Sequence, residues 1–128
     1  MKKKILVVDD EKSMRTLLEF FLSSRYDIVS LPSGEEALQW LNTTIPDLII
    51  SDIEMGDMDG FEFLQEVRLR GFAKHTPVIM LSAKAESKER VKCYKLGAQD
   101  YLTKPFNPEE LDELVKKNLN PIHYASVW

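Results

Sequence analysis

Short apolar runs alternate along the chain with stretches in which apolar residues recur every three or four positions. The first run, residues 4–9, has the uninterrupted, β-branched composition that is typical of a strand buried on both faces. Residues 13–24 then place five apolar side chains on one helical face: Met14, Leu17, Leu18, Phe21 and Leu22. Further apolar runs indicate four more strands, at residues 26–31, 47–52, 77–82 and 101–104.

Helix-start and helix-stop signals stand between these runs. Ser33 with Glu36 forms a capping-box sequence, and Asn107 before Pro108 combines an N-cap with proline at the first helical position. A polar helix over residues 86–96 ends at a glycine. The remaining helix follows Gly60 and carries three apolar residues on one side: Phe61, Leu64 and Val67. Five strands that alternate with five helices predict an α/β fold, with a doubly wound parallel sheet covered by helices on both faces.

Composition and charge limit what such a fold can do. The 128 residues suffice for one domain, which we place at residues 1–120, with residues 121–128 as a tail or the start of a linker. A net charge of −4 argues against nucleic-acid binding by bulk electrostatics. The apolar run after the N-terminal lysines is too short for a signal peptide or a membrane span, and the single cysteine, Cys93, suits a reducing compartment. We therefore expect a cytoplasmic domain that binds neither nucleic acid nor membrane.

Polar side chains stand where the predicted strands end. Asp9 and Asp10 close the first strand, and Asp52 closes the third. Ser82 and Lys104 close the fourth and the fifth. Because parallel strands end at one edge of a sheet, we expect these side chains to meet there, where the carboxylates predict a site for Mg²⁺ or Mn²⁺. Each residue alone has a structural alternative, as a helix cap, a turn residue or a surface lysine, and it is their joint placement that favours a site.

Four sequence motifs include the residues at the strand ends: V-V-D-D-E-K at 7–12, S-D-I-E-M-G-D-M-D-G at 51–60, L-S-A at 81–83 and D-Y-L-T-K-P-F at 100–106. In this order and spacing, they resemble the motifs of the receiver domain of two-component response regulators. The resemblance extends from about residue 3 to residue 119. It implies a flavodoxin-like sheet of five parallel strands in the order 2-1-3-4-5, flanked by five helices.

The resemblance also implies a phosphoryl acceptor and a metal site. Asp52 would accept a phosphoryl group from the phosphohistidine of a histidine kinase or a phosphotransfer protein, or alternatively from a small acyl phosphate. Asp10, Asp52 and the backbone carbonyl of Glu54 would hold Mg²⁺, with Asp9 acting through water. A carboxylate is a usable nucleophile toward phosphorus once the negative charges are screened, which such an ion provides.

Further positions acquire roles from the same resemblance. Lys104 and Ser82 would contact phosphoryl oxygens, and the Lys104–Pro105 peptide bond is expected to be cis. Ser82 and Tyr101 would form the switch, in which Ser82 moves toward the phosphoryl group, the Tyr101 ring follows, and the face made by the last two helices and the last strand changes. Tyr101 could instead be a half-exposed strand aromatic.

Glu54 and Lys84 stand two residues after Asp52 and Ser82, and we hypothesise that their side chains approach across the pocket mouth and slow the access of water.

Leu114 occupies a position where transcription factors of the family often carry an arginine used in dimerisation. A phosphorylation-dependent homodimer is therefore left open.

The function favoured by these motifs is a signalling switch that catalyses its own aspartyl phosphorylation and slow autodephosphorylation, with no metabolic substrate and an unknown output domain or target protein. One alternative is a Mg²⁺-dependent phosphohydrolase, which the adjacent pair Asp9 and Asp10 disfavours, because such enzymes often place a second acid two residues after the nucleophile. A flavin-binding electron carrier would need phosphate-binding residues after the first strand. A phosphorylation-independent interaction module is disfavoured because all five site residues are present.

Overall fold

The computed structural model describes residues 1–120, which form a parallel five-stranded sheet with helices on both faces. The strands are β1 (Lys4–Val8), β2 (Asp27–Leu31), β3 (Leu48–Asp52), β4 (Val78–Ser82) and β5 (Asp100–Thr103). The helices are α1 (Lys12–Leu22), α2 (Gly34–Leu41), α3 (Gly60–Leu69), α4 (Ser87–Lys95) and α5 (Pro108–Leu119). The strand order is β2-β1-β3-β4-β5 with every neighbouring pair parallel, which confirms the predicted fold.

Two hydrophobic clusters cover the two faces of the sheet. Strand β1 shows the division, because Leu6 and Val8 enter one cluster while Ile5 and Val7 enter the other. Helices α2, α3 and α4 cover the first cluster, and α1 and α5 cover the second. The central strands are therefore buried on both sides, as their uninterrupted apolar runs predict.

Side-chain caps start three of the helices. The Ser33 hydroxyl accepts a hydrogen bond from the Glu36 N–H at 3.2 Å, and Asn107 caps α5 ahead of Pro108, as the sequence predicts. Asp59 and Glu62 form a reciprocal capping box at the start of α3, which was not among the predicted helix starts. This box fixes the point at which the loop after β3 turns into α3.

Gly60 brings that loop close to the end of β3. Its N–H donates to the Ile53 carbonyl at 2.6 Å. A Cβ at this position would lie 2.3 Å from the Asp52 carbonyl oxygen, a distance that no side chain can adopt without movement of the backbone. Glycine at the first position of α3 thus permits the tight turn that holds the end of β3 in place.

Some predicted boundaries were wrong. Strand β1 ends at Val8 rather than Asp9, because the Asp9 carbonyl accepts a hydrogen bond from Arg15 at 2.7 Å instead of continuing the sheet. Strand β5 covers Asp100–Thr103 rather than residues 101–104, and a short 3₁₀ helix, Phe72–His75, precedes β4. Phe61 packs against the first cluster as predicted but is only half-buried, with the Lys92 ammonium 4.0 Å from its ring centroid. The fully buried aromatic of α3 is Phe63, which the sequence pattern did not predict.

Within residues 1–120, no helix is both long enough and apolar enough to span a membrane. The predicted tail at residues 121–128 lies outside the described residues.

Candidate functional site

Three carboxylates meet at the carboxyl edge of the sheet. Strands β1 and β3 are neighbours, so Asp9 and Asp10, which follow β1, lie beside Asp52 at the end of β3. One carboxylate oxygen from each residue lies within 4.8 Å of those from the other two. Asp9 is 1% exposed and Asp52 is 5% exposed, whereas Asp10 is open to solvent. The edge thus combines two buried acids with one accessible acid.

Lys104 joins this cluster from the loop after β5. Its ammonium nitrogen lies 2.9 Å from Asp9 Oδ2 and 3.3 Å from Asp52 Oδ1. The Lys104 N–H donates to the Ser82 carbonyl at 2.7 Å, which anchors the backbone of this lysine to the end of β4. The peptide bond between Lys104 and Pro105 is cis.

Backbone hydrogen bonds orient the two buried carboxylates. Asp9 Oδ1 accepts from the Glu11 N–H at 2.9 Å, which leaves Oδ2 for Lys104. Asp52 Oδ1 accepts from the Ile53 N–H at 2.8 Å. Each carboxylate therefore has one oxygen fixed by the local backbone before any ligand arrives.

The electrostatics of the cluster favour binding of a positive charge. Burial and the neighbouring Asp9 raise the pKa of Asp52 to about 6, although Lys104 acts in the opposite direction. Burial by itself would lower the pKa of Lys104, but the hydrogen bond to Asp9 and the attraction of Asp52 outweigh it, so this pKa lies above its ordinary value. Two buried acids share one ammonium, and the site retains an excess of negative charge whenever Asp52 is ionised.

The donor set fits a divalent cation. Carboxylate oxygens are the ligands that Mg²⁺ and Mn²⁺ prefer, and Mg²⁺ binds in proteins through one or two carboxylates while it retains several waters. The exposed position of Asp10 leaves solvent access on one side of the cluster. An ion at this place would also relieve the repulsion that raises the pKa of Asp52.

The loop between β4 and α4 connects Ser82 to Tyr101. Ser82 is 1% exposed at the end of β4, the strand beside β3, and its Oγ accepts from the Lys84 N–H at 3.1 Å. The Tyr101 hydroxyl donates to the Lys84 carbonyl. Tyr101 is 8% exposed, so it is a buried aromatic rather than the half-exposed one that was the alternative. Lys84 thus links both residues through its backbone.

The side chain of Lys84 lies between two acids. Its ammonium is 3.4 Å from Glu54 Oε1 and 3.6 Å from Glu89 Oε1. The approach of Glu54 and Lys84 was expected from the sequence, but Glu89 was missed. Its position on a polar helix, where Glu is a common solvated residue, provided no signal that would distinguish it.

Comparison with known proteins identifies the family. The family model of the response regulator receiver domain matches residues 5–116. The chain belongs to this family. Among curated relatives, the receiver domain is 45% identical over 127 residues to the alkaline phosphatase synthesis transcriptional regulatory protein PhoP of Bacillus subtilis, covering 98% of this chain and 52% of that protein. The chain thus spans about half the length of this relative.

Solved structures agree with this assignment. The chemotaxis response regulator CheY4 of Vibrio cholerae superposes with a TM-score of 0.87 at 35% identity, over 93% of this chain and 100% of that chain. The receiver domain of a sensor histidine kinase from Pseudomonas aeruginosa has a TM-score of 0.86 at 28% identity, over 94% and 99% of the two chains. That structure has a magnesium ion coordinated in its active site cleft. These likenesses support the same family for the part of the chain that the family model matches.

Proposed function

We propose that this receiver domain is a phosphorylation-dependent switch in which Asp52 accepts a phosphoryl group from the phosphohistidine of a histidine kinase or a phosphotransfer protein. The observation that carries the proposal is the buried Asp52 carboxylate, which shares one site with Asp9, Asp10 and the Lys104 ammonium. Phosphoryl transfer depends mainly on positioning and on stabilisation of charge, and this arrangement provides both.

In this proposal Asp9, Asp10, Asp52 and the backbone carbonyl of Glu54 hold Mg²⁺, or Mn²⁺ in its place. When bound, the ion screens the negative charges of the acids and of the phosphoryl oxygens from one another. The support is the three aspartates, whose carboxylate oxygens lie within 4.8 Å of one another, and the charge excess of the cluster. The Glu54 carbonyl is included from the family resemblance. The role of Asp9 through water stays a prediction from the family resemblance.

Three side chains have separate roles in the proposed phosphoryl transfer. An Asp52 carboxylate oxygen attacks phosphorus, the new P–O bond forms, and the P–N bond of the donor breaks with its electron pair returning to the imidazole. The Lys104 ammonium, now shared by Asp9 and Asp52, turns to a phosphoryl oxygen, and the Ser82 hydroxyl donates to another. Ser82 Oγ accepts from the Lys84 N–H and lies within hydrogen-bonding reach of the Tyr101 hydroxyl, and in this proposal its own proton turns to the phosphoryl oxygen.

The switch follows from the links around Lys84. Movement of Ser82 toward the phosphoryl group pulls residues 82–86 with it, and the Tyr101 hydroxyl is bonded to the carbonyl of the same loop. The face made by α4, β5 and α5 then changes, and we propose that the output of the protein depends on that face. The target of that face is an output domain of the same protein or a separate protein. A phosphorylation-dependent homodimer stays a prediction.

We further propose that the receiver unit comprises residues 1–120 and works in the cytoplasm. It would slowly hydrolyse its own aspartyl phosphate and would have no metabolic substrate. The family match over residues 5–116 supports these bounds. Since the chain covers about half of its relative from Bacillus subtilis, a transcriptional regulatory protein, an output domain in the full protein is part of this proposal.

The experiment is incubation with acetyl phosphate, and separately with a phosphohistidine protein, in Mg²⁺ or in EDTA. Intact-mass spectrometry should show one added phosphoryl group in Mg²⁺ and little in EDTA. Asp52→Asn should lose the label, and Asp57→Asn, an exposed aspartate in the same loop, should retain it. Equal labelling of the wild type and Asp52→Asn would overturn the proposal.

A further inference from the structure

We infer that Glu89 is a positioning residue that competes with Glu54 for the Lys84 ammonium and thereby sets the lifetime of the Asp52 phosphoryl group. This inference rests on the proposed function. Its starting point is a lysine between two acids, one in the loop that follows Asp52 and one in the first turn of α4.

The two distances show that the ammonium is fully bonded to neither acid. A charge-assisted N–H···O bond is normally about 2.7–2.9 Å long. Lys84 lies 3.4 Å from Glu54 and 3.6 Å from Glu89, so each contact is longer than its optimum. Either acid gains a shorter bond if the ammonium moves toward it and away from the other.

The two acids that compete for the Lys84 ammonium differ in burial. The Glu54 side chain is 64% exposed, and water competes for its carboxylate. The Glu89 side chain is 20% exposed, and its Oε2 is buried without a hydrogen-bond partner among the described residues. A buried carboxylate oxygen without a partner is unfavourable, so Glu89 attracts the ammonium toward α4.

The position of Lys84 determines what water can reach. Glu54 stands two residues after Asp52. In this inference an ammonium bonded to Glu54 is held on the side of the loop after β3, where it obstructs water that would attack the phosphoryl group. An ammonium drawn to Glu89 is held on the side of α4 and does not obstruct that water. The two acids therefore act on dephosphorylation in opposite directions through one lysine.

The test measures the decay of the aspartyl phosphate after removal of the donor. Glu89→Gln should slow the decay by about two- to five-fold, and Glu54→Gln should accelerate it by about the same factor, the range expected for loss of one exposed ion pair. Neither substitution should have any effect in a Lys84→Met background. Glu66→Gln, which neutralises an exposed acid on α3, is the matched control and should decay like the wild type.

The outcomes separate the inference from the function that it rests on. Changes in the same direction for both acids, equal rates in all variants, or effects that persist in Lys84→Met would each overturn the role of Glu89 while the proposed function stands. Absence of any label on the wild-type protein would overturn both. A purely structural role of Glu89 cannot produce opposite signs that depend on Lys84.

Discussion

Replacement of Asp52 by asparagine should stabilise the metal-free protein. The pKa of this carboxyl is about 6 in the folded chain, against an ordinary value of 3.8, because burial and Asp9 disfavour its ionised form. The difference of about two units, at about 1.4 kcal/mol per unit, corresponds to about 3 kcal/mol. Since the cluster can relax, we expect Asp52→Asn to raise the free energy of unfolding by about 1–3 kcal/mol at pH 8.

The pH dependence of this effect has a definite sign. The ionised carboxylate is the unfavourable form in the folded state, so its penalty grows as the pH rises from about 4 to about 7 and is constant above that. The stabilisation by Asp52→Asn should follow the same course and shrink toward pH 4. A divalent cation that binds the cluster should reduce the difference between the two proteins at pH 8.

Urea denaturation followed by circular dichroism, in EDTA at pH 8 and at pH 5, measures this difference. Asp57→Asn removes a charge from an exposed position of the same loop and should be nearly neutral at both pH values. If Asp52→Asn were no more stable than the wild type in EDTA at pH 8, or if its advantage were larger at pH 5, the electrostatic account of the cluster would be wrong.

Three further substitutions test other parts of the structure. In EDTA at pH 8, Lys104→Met should lower the free energy of unfolding by about 1–3 kcal/mol in urea denaturation, because two buried carboxylates lose their shared ammonium. Gly60→Ala should cost about 2 kcal/mol or more in the same assay and slow phosphorylation, since its Cβ meets the backbone at the end of β3. Tyr101→Phe loses the bond to the Lys84 carbonyl; it should leave Asp52 labelling unchanged and weaken the phosphorylation-induced change in hydrogen exchange of residues 82–86. Wild-type stability of the first two, or a wild-type exchange response in the third, would contradict these assignments.

The placement of the acidic cluster could be predicted because it follows from topology. Uninterrupted apolar runs identify buried parallel strands, and parallel strands end at one edge of the sheet. Asp9 and Asp52 are brought together by the pairing of β1 with β3, which a residue-by-residue pattern cannot show but the family resemblance implied. Their burial and the resulting rise in the pKa of Asp52 required coordinates.

Other features depend on contacts between distant segments and had no sequence signal. Phe61 and Phe63 are both aromatic and lie two positions apart in the same helix, and only packing against the sheet shows that Phe63 is the fully buried one. Glu89 resembles any solvated glutamate of a polar helix until Lys84 is placed beside it. Arg15, which binds the Asp9 carbonyl and ends β1 one residue early, is likewise unremarkable in the sequence.

The central claim is that the phosphoryl group resides on Asp52. Its most direct measurement is phosphorylation with the donor and Mg²⁺, reduction of the acyl phosphate with borohydride to mark the modified residue as an alcohol, and peptide mapping by mass spectrometry. We expect the reduced side chain at Asp52 and unmodified carboxylates at Asp9 and Asp10. A mark on either of those aspartates with Asp52 intact would contradict it.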